Sequence, residues 1–498
     1  MSVGQVARPA YPAGDVPAIV DTNQERQGMT ETMQVGESEY ERAVAYCESL
    51  LRPLTEQVGE DELRLHFERM RYLLARLGDP QLRFRTVHVA GTSGKGSTTA
   101  MIGAILHAAG LRTAVHCTPY VQTPIERMQV GGLYASASDF VSLVDTLRPH
   151  IRHMQAHSLY RDISYREVAV AQAFLHFAAN GVDIAAIETG MGGRYDYTNH
   201  VSPLATAIVT VDYDHLATLG PTLDRIAYHK AGIIKEGVPA VTGVRESAAL
   251  AVIEAEAARR HAPLYRLGKE LQIDVRQSDL GGPLIDYTSP WGAMRELRVG
   301  MLGRHQALNA AMAIGMAQLL RQQGLPVTEQ AMRQGLARAR LPGRLEVVDE
   351  HPTMVLDGAH NPEKMRALAL ALSELFPGQK PVLVIGVLAA KQVADILAEV
   401  VPAASTVVVT TLLVHEKPAV PPDVLAAVCR RMGRNVVVEP DLPGAIERAR
   451  ALAGAAGLVC VTGSLYMVGQ ARERWVPTSA VLTERTSFPV RRNASVPS

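Results

Sequence analysis

Cysteine is scarce in this chain: four occur among 498 residues (Cys47, Cys117, Cys429 and Cys460), far apart and without a C-x-x-C pair. That spacing argues against a disulfide scaffold or a cysteine-rich zinc site and reads as reduced, mostly buried thiols of a cytosolic protein. A surplus of charge is also missing. Lysine plus arginine and aspartate plus glutamate number 50 each, so no overall field draws nucleic acid or an anionic membrane, and any anion site must be local. No apolar run reaches the ~18 residues of a membrane span, and the N-terminus lacks the basic-then-apolar pattern of a signal peptide. The cytoplasm is the expected compartment.

What is present is an ordinary globular balance, 47% hydrophobic and 20% charged. At roughly 100–200 residues per domain, two or three domains are expected. Residues 1–40 are rich in Pro, Gly, Gln and Glu without periodicity and are predicted to be a disordered leader; residues 478–498 are predicted to be a disordered tail. Between them, strand-length apolar runs at 86–90, 182–187 and 205–211 alternate with helical patterns at 97–109 and 167–179. That alternation predicts an α/β fold with a parallel sheet covered on both faces. Short alternating segments over 271–299 predict an antiparallel extension, followed by helices over 304–323 and 328–339. Pro342-Gly343 marks the expected boundary between a first domain, 41–343, and a second, 344–477. The second has strand candidates at 354–356, 381–387, 406–412, 435–438 and 458–462. Two α/β domains joined by a hinge make a cleft suited to a two-substrate reaction.

The run Gly91-Thr92-Ser93-Gly94-Lys95-Gly96-Ser97 follows the first of these strands and opens a helix. Glycines let backbone N–H groups approach phosphate oxygens, and the helix N-terminus adds its positive end. Lys95 can reach the β/γ oxygens, and Ser97 offers a hydroxyl to phosphate or Mg²⁺. The pattern departs from G-x-x-x-x-G-K-[ST], because Val89 and Gly96 interrupt it. Glu188 ends a second apolar strand and precedes a turn with three glycines (Gly190, Gly192, Gly193), where a magnesium ligand facing a phosphate crevice is expected. A third strand ends in Asp212-Tyr213-Asp214-His215, with His215 a candidate for metal or phosphate.

Further motifs follow in order: Arg194 with Asp196, Thr198 and Asn199; His229-Lys230-Ala231-Gly232; Gly303-Arg304-His305-Gln306 with Asn309; Pro342-Gly343-Arg344-Leu345-Glu346; and Asp357-Gly358-Ala359-His360-Asn361-Pro362. Together these resemble the folylpolyglutamate synthase/dihydrofolate synthase family of the Mur ligase superfamily, over about residues 41–476. The resemblance implies a two-domain Mur ligase-like architecture, a P-loop sheet domain plus a smaller C-terminal Rossmann-like domain. It also implies ATP-dependent ligation of L-glutamate to a folate-type carboxylate through an acyl phosphate. A carboxylate is a poor electrophile, and phosphorylation turns its oxygen into a leaving group; Mg²⁺ and basic side chains then bring like charges together.

By that resemblance the loop amides of residues 91–97, Lys95, Asn309, Arg344 and Asp357 would bind ATP. Ser97, Thr118, Glu188, His215 and a carbamylated Lys230 would serve two Mg²⁺ ions, with Lys95, Glu188, His215 and Lys230 forming the catalytic set. Arg194, Asp196, His360 and Ser464 would hold the substrates, and a monomer without nucleic-acid or membrane partners is implied. The chain departs from the family pattern in three places. Thr118-Pro119-Tyr120 stands for Ser-Pro-His, His229 for a glutamate, and Ala390-Lys391-Gln392 for Asp-Lys-Asp. The altered acceptor-facing loop, residues 118–128, leaves open dihydropteroate, a tetrahydrofolate polyglutamate tail or another acid. A P-loop kinase and a nucleotide-binding protein without turnover are the readings from other classes.

Overall fold

The computed structural model describes residues 37–51, 59–157, 159–389, 393–414 and 418–490. Eight strands build the first sheet: β1 (Arg85–Ala90), β2 (Thr113–His116), β3 (Gln129–Val130), β4 (Leu133–Tyr134), β5 (Ile184–Glu188), β6 (Pro203–Ile208), β7 (Ala240–Thr242) and β8 (Leu264–Arg266). Their order is β4-β3-β2-β5-β1-β6-β7-β8. From β2 to β8 every pairing is parallel, while β3 and β4 add an antiparallel hairpin at one edge.

The strands are apolar on both sides because both faces are covered. Val87 and Val89 point to one face, against Met101, Ile102 and Ile105 of the helix Lys95–Ala108 and Ala310 and Ile314 of the helix His305–Gln322. Ala185 and Ile187 point to the other, against Phe140 of the helix Ala137–His157 and Phe174 and Phe177 of the helix Tyr165–Ala179. The expected antiparallel extension is a three-stranded meander of β9 (Gln272–Asp279), β10 (Gly282–Ser289) and β11 (Gly292–Arg298).

The second half carries its own sheet: β12 (Glu346–Glu350), β13 (Thr353–Leu356), β14 (Val382–Ile385), β15 (Thr406–Val409), β16 (Asn435–Val438) and β17 (Leu458–Thr462). The order is β12-β13-β17-β14-β15-β16, parallel except for β12. One apolar cluster lies on each face. Among the described residues, no helix is long and apolar enough to cross a membrane.

The expectation of a disordered tail from residue 478 is corrected. Thr478–Glu484 is a helix, and Val481 is fully buried in the core of the first half. Beyond it, Arg485 Nε donates to Tyr134 O at 2.6 Å and Tyr134 Oη donates to Ser487 Oγ at 2.8 Å. These partners lie some 350 residues away in sequence, so local composition gave no sign of them. The expected leader lies outside the described residues up to residue 36, and its last four residues open the helix Glu37–Glu48.

Topology places the candidate site. Strand β1 lies between β5 and β6, and its outgoing helix leads to β2 on the far side of β5. Chain direction therefore divides at the carboxyl end of β1, opening the crevice in which α/β sheets bind ligands. The glycine loop after β1, Glu188 at the end of β5 and the segment after β6 all meet there.

Candidate functional site

The glycine loop is laced to the segment after β6. Thr92 N–H donates to Thr210 O at 2.9 Å, Ser93 N–H donates to Thr210 Oγ1 at 2.8 Å, and Asp212 N–H donates to Thr92 Oγ1 at 3.0 Å. The first bond of the following helix runs from Thr98 N–H to Gly94 O. The amides before it therefore sit at the open, positive end of a 14-residue helix. Gly94 is in the left-handed region at φ 79, and a Cβ there would stand 2.2 Å from Asn309 Oδ1. Only glycine lets the loop pass this close to Asn309, which is itself held by Gln306 Oε1 at 2.9 Å.

Two lysines converge on one oxygen. Lys95 Nζ donates to Gly91 O at 3.0 Å, and Lys230 Nζ donates to the same oxygen at 2.8 Å. Lys230 is buried. Burial, with the charge of Lys95 next in size, pushes its amine well below the usual lysine range, against a smaller pull from Asp214.

Glu188 is 4% exposed and accepts the Thr118 N–H at 2.9 Å. A Cβ at Gly96 would lie 3.2 Å from its Oε2, so the carboxylate faces the helix N-terminus next to Ser97. Burial raises its pKa; Lys95, the Thr118 amide, Arg344 and the Cys117 thiol pull the other way. Glu188, Ser97 and the Thr118 segment are thus together. His215 follows β6: it caps the short helix Leu216–Leu219, its side chain is 45% exposed, and its Nε2 lies 3.9 Å from Asp214 Oδ2. Among the described residues, no three His, Cys, Asp or Glu side chains gather as a metal cage. Mg²⁺ commonly takes one or two carboxylates plus phosphate oxygens and water, and a buried carboxylate beside two hydroxyl-bearing residues fits that habit.

Across the cleft, Arg344 Nη1 donates to Gly343 O at 3.0 Å, and its charge acts on Glu188 and Cys117 of the first half. Asp357 is turned inward. Its Oδ2 accepts Leu345 N–H at 2.9 Å and its Oδ1 accepts Ala359 N–H at 2.8 Å. His360 is held through Nδ1 to Gly358 O at 2.8 Å, with Lys364 Nζ 3.2 Å from its Nε2. Ser464 caps the helix Leu465–Arg472 and accepts Tyr466 N–H at 3.2 Å.

Arg194 and Asp196 are engaged by the protein itself. Arg194 lies 3.4 Å from Glu256 and stacks at 4.0 Å on Tyr228. Asp196 accepts the Met191 and Thr198 amides and the Thr198 hydroxyl, which shapes the glycine turn after Glu188. Sequence reasoning missed Cys117, Glu363 and Lys364. The first was read only as a buried thiol. The other two sit just after Asn361-Pro362, a cap-plus-proline helix start that was available as a signal. The Ala390-Lys391-Gln392 departure lies outside the described residues.

Residues 89–317 match the Mur ligase middle domain, and residues 343–465 match the Mur ligase glutamate ligase domain. The chain is 35% identical over 408 residues to the dihydrofolate synthase/folylpolyglutamate synthase of Bacillus subtilis, covering 82% of this chain and 94% of that one. Among solved structures, the folylpolyglutamate synthase of Thermotoga maritima superposes with a TM-score of 0.76 at 34% identity, over 88% of this chain and 97% of that one. The Mycobacterium tuberculosis folylpolyglutamate synthase complexed with ADP gives 0.80 at 30% identity, over 88% and 98%. With relatives matched along nearly their whole length and both Mur ligase domains in order, the chain belongs to the folylpolyglutamate synthase/dihydrofolate synthase family of Mur ligases.

Proposed function

We propose that this protein uses ATP to join L-glutamate to the carboxylate of a folate-type acceptor, releasing ADP and phosphate. The observation that carries the reading is the convergence of Lys95, Lys230 and Glu188 on the helix N-terminus at Gly91 and Gly96, facing Arg344 across the cleft.

The acceptor carboxylate oxygen attacks the γ-phosphorus, the bond to the β-phosphate oxygen breaks, and ADP leaves. The glutamate amine then attacks the acyl carbon, and phosphate departs with the C–O electron pair as the amine loses its proton. The helix amides and Lys95 hold the triphosphate, and Arg344 steadies charge from the opposite side. Glu188, with hydroxyls from Ser97 and Thr118, would hold Mg²⁺, which supplies charge neutralisation at the phosphoryl oxygens. The depressed pKa of Lys230 favours a neutral amine able to add CO₂ and release a proton. The resulting carbamate would be an oxygen ligand in place of a cation. Arg344 and His360 lie on the second half of the cleft, whose closure would keep water from the acyl phosphate.

The test incubates the protein with ATP, Mg²⁺ and L-glutamate, with dihydropteroate, tetrahydrofolate or no acceptor. Acceptor-dependent phosphate release with a product heavier by one glutamyl residue is expected. A stable phosphorylated product lacking glutamate would instead make the protein a kinase and overturn the reading.

A further inference from the structure

The loop of residues 118–128, acceptor-facing by the family resemblance, is sewn to the second half of the chain at one side chain. Gln122 Nε2 donates to Val476 O at 2.7 Å and to Glu473 Oε1 at 2.9 Å, and Gln122 Oε1 accepts from Arg472 Nη1 at 2.5 Å. Both amide hydrogens and the amide oxygen are therefore committed to residues 472–476.

The partner is anchored in turn. Arg472 is fully buried and donates from Nε to both oxygens of Glu346, at 3.0 Å each. Its Nη2 donates to Ser487 O. Glu346 also accepts the Gly343 N–H at 2.8 Å. One buried guanidinium thus joins the hinge, the loop and the returning C-terminal segment. Backbone packing gives an independent sign of the same docking. A Cβ at Gly469, on the helix Leu465–Arg472, would lie 2.0 Å from Val121 O, so the helix rests directly against the loop.

The turn that carries Gln122 is braced from within. The amides of Val121, Gln122 and Thr123 all donate to the Glu126 carboxylate at 2.8–2.9 Å. Displacing Gln122 therefore displaces the whole turn. Four residues before Gln122, the Thr118 N–H donates to Glu188.

We propose that Gln122 is a positioning residue through which the second half of the chain, by way of Arg472 and Val476, sets the acceptor-facing loop and hence acceptor recognition. This rests on the proposed folate-ligase reading and deepens it. The linkage makes affinity for the acceptor depend on where the second half sits, while the phosphate loop, fixed by Thr210 and Asp212, keeps its geometry.

The experiment compares steady-state KM for acceptor and for ATP in the wild type, Gln122→Met, Gln122→Glu and Gly469→Ala. Methionine keeps the volume and removes the polar links; glutamate keeps an acceptor for Arg472 and removes the donors. Gln122→Met and Gly469→Ala are expected to raise acceptor KM by about tenfold and leave ATP KM within about twofold, with Gln122→Glu intermediate. Acceptor KM within about twofold of wild type in Gln122→Met and Gly469→Ala, or a parallel rise in both KM values, overturns the inference. If Gln122→Met does not fold, Gln122→Glu and Gly469→Ala decide by the same criterion. Failure of the underlying reading is separately visible, because the wild type would then turn over no folate acceptor.

Discussion

Ser93 Oγ donates to Glu363 Oε2 at 2.7 Å, tying the phosphate loop to the first turn of the helix Pro362–Leu375. Burial raises the Glu363 pKa, the Ser93 hydroxyl lowers it, and Asp212 and Asp214 add repulsion against a pull from Lys364. A carboxylate thus stands at the loop proposed to receive the triphosphate. Glu363→Gln keeps an acceptor for Ser93 and removes the charge. ATP KM is expected to fall about fivefold, or about 1 kcal/mol, in steady-state assays at neutral pH. An unchanged or higher ATP KM shows that the charge does not oppose nucleotide binding.

Lys230 offers a second test. Its amine is buried, shares Gly91 O with Lys95 and is pushed toward the neutral form. Removing CO₂ rigorously is expected to lower activity, and bicarbonate is expected to restore it, with the native protein heavier by one carbamate. Unmodified Lys230 in the native mass spectrum together with CO₂-independent turnover would sink the proposal.

These two cases mark what was legible in the sequence. The strands β1, β5 and β6 are largely apolar segments, β1 running into Gly91 and β5 ending on Glu188, so their positions and the glycine loop could be read directly. The short strands β2, β7 and β8, of three or four residues, are too brief for any period to register. The contacts of Glu363, Gln122 and Ser487 were hidden for a different reason: their partners lie 270 to more than 350 residues away, and no local pattern encodes such a pairing. His215 was read from its place after a strand. Its backbone at φ 54 and its exposed side chain contrast with the buried setting of Glu188.

Asp357 separates a nucleotide-binding role from an architectural one. Both of its oxygens accept backbone amides, one from Leu345, whose φ is 45. Asp357→Asn would set an NH₂ donor against one of those N–H groups. A loss of about 1–3 kcal/mol in unfolding free energy is expected, measured by urea denaturation without nucleotide. Wild-type stability with a raised ATP KM would instead favour the ribose contact implied by the family resemblance.

Buried histidines contribute a destabilising share to the acid response. Burial is the largest cause lowering His88 to about 3 and His116 to about 4, with Lys235 acting next on His88 and Arg127 on His116. Unfolded histidine takes its proton near 6.5, whereas these two remain neutral in the fold until about 4 or below. Between those limits the unfolded chain binds more protons, so each contributes stability at neutral pH that is lost as pH falls. Glu188 and Asp196, whose carboxyls are raised by burial, work the other way, so the wild-type slope is a net of the two. A substitution isolates the histidine share. His88 Nε2 lies 2.8 Å from Thr198 Oγ1, and His88→Gln keeps a polar partner for that hydroxyl while removing the titration. Unfolding free energy measured at pH 7, 6 and 5 is expected to fall less steeply in the variant. Near pH 5 the difference approaches one proton, or about 1.4 kcal/mol per pH unit. Parallel slopes would show that His88 takes up its proton in the fold as it does in the unfolded chain.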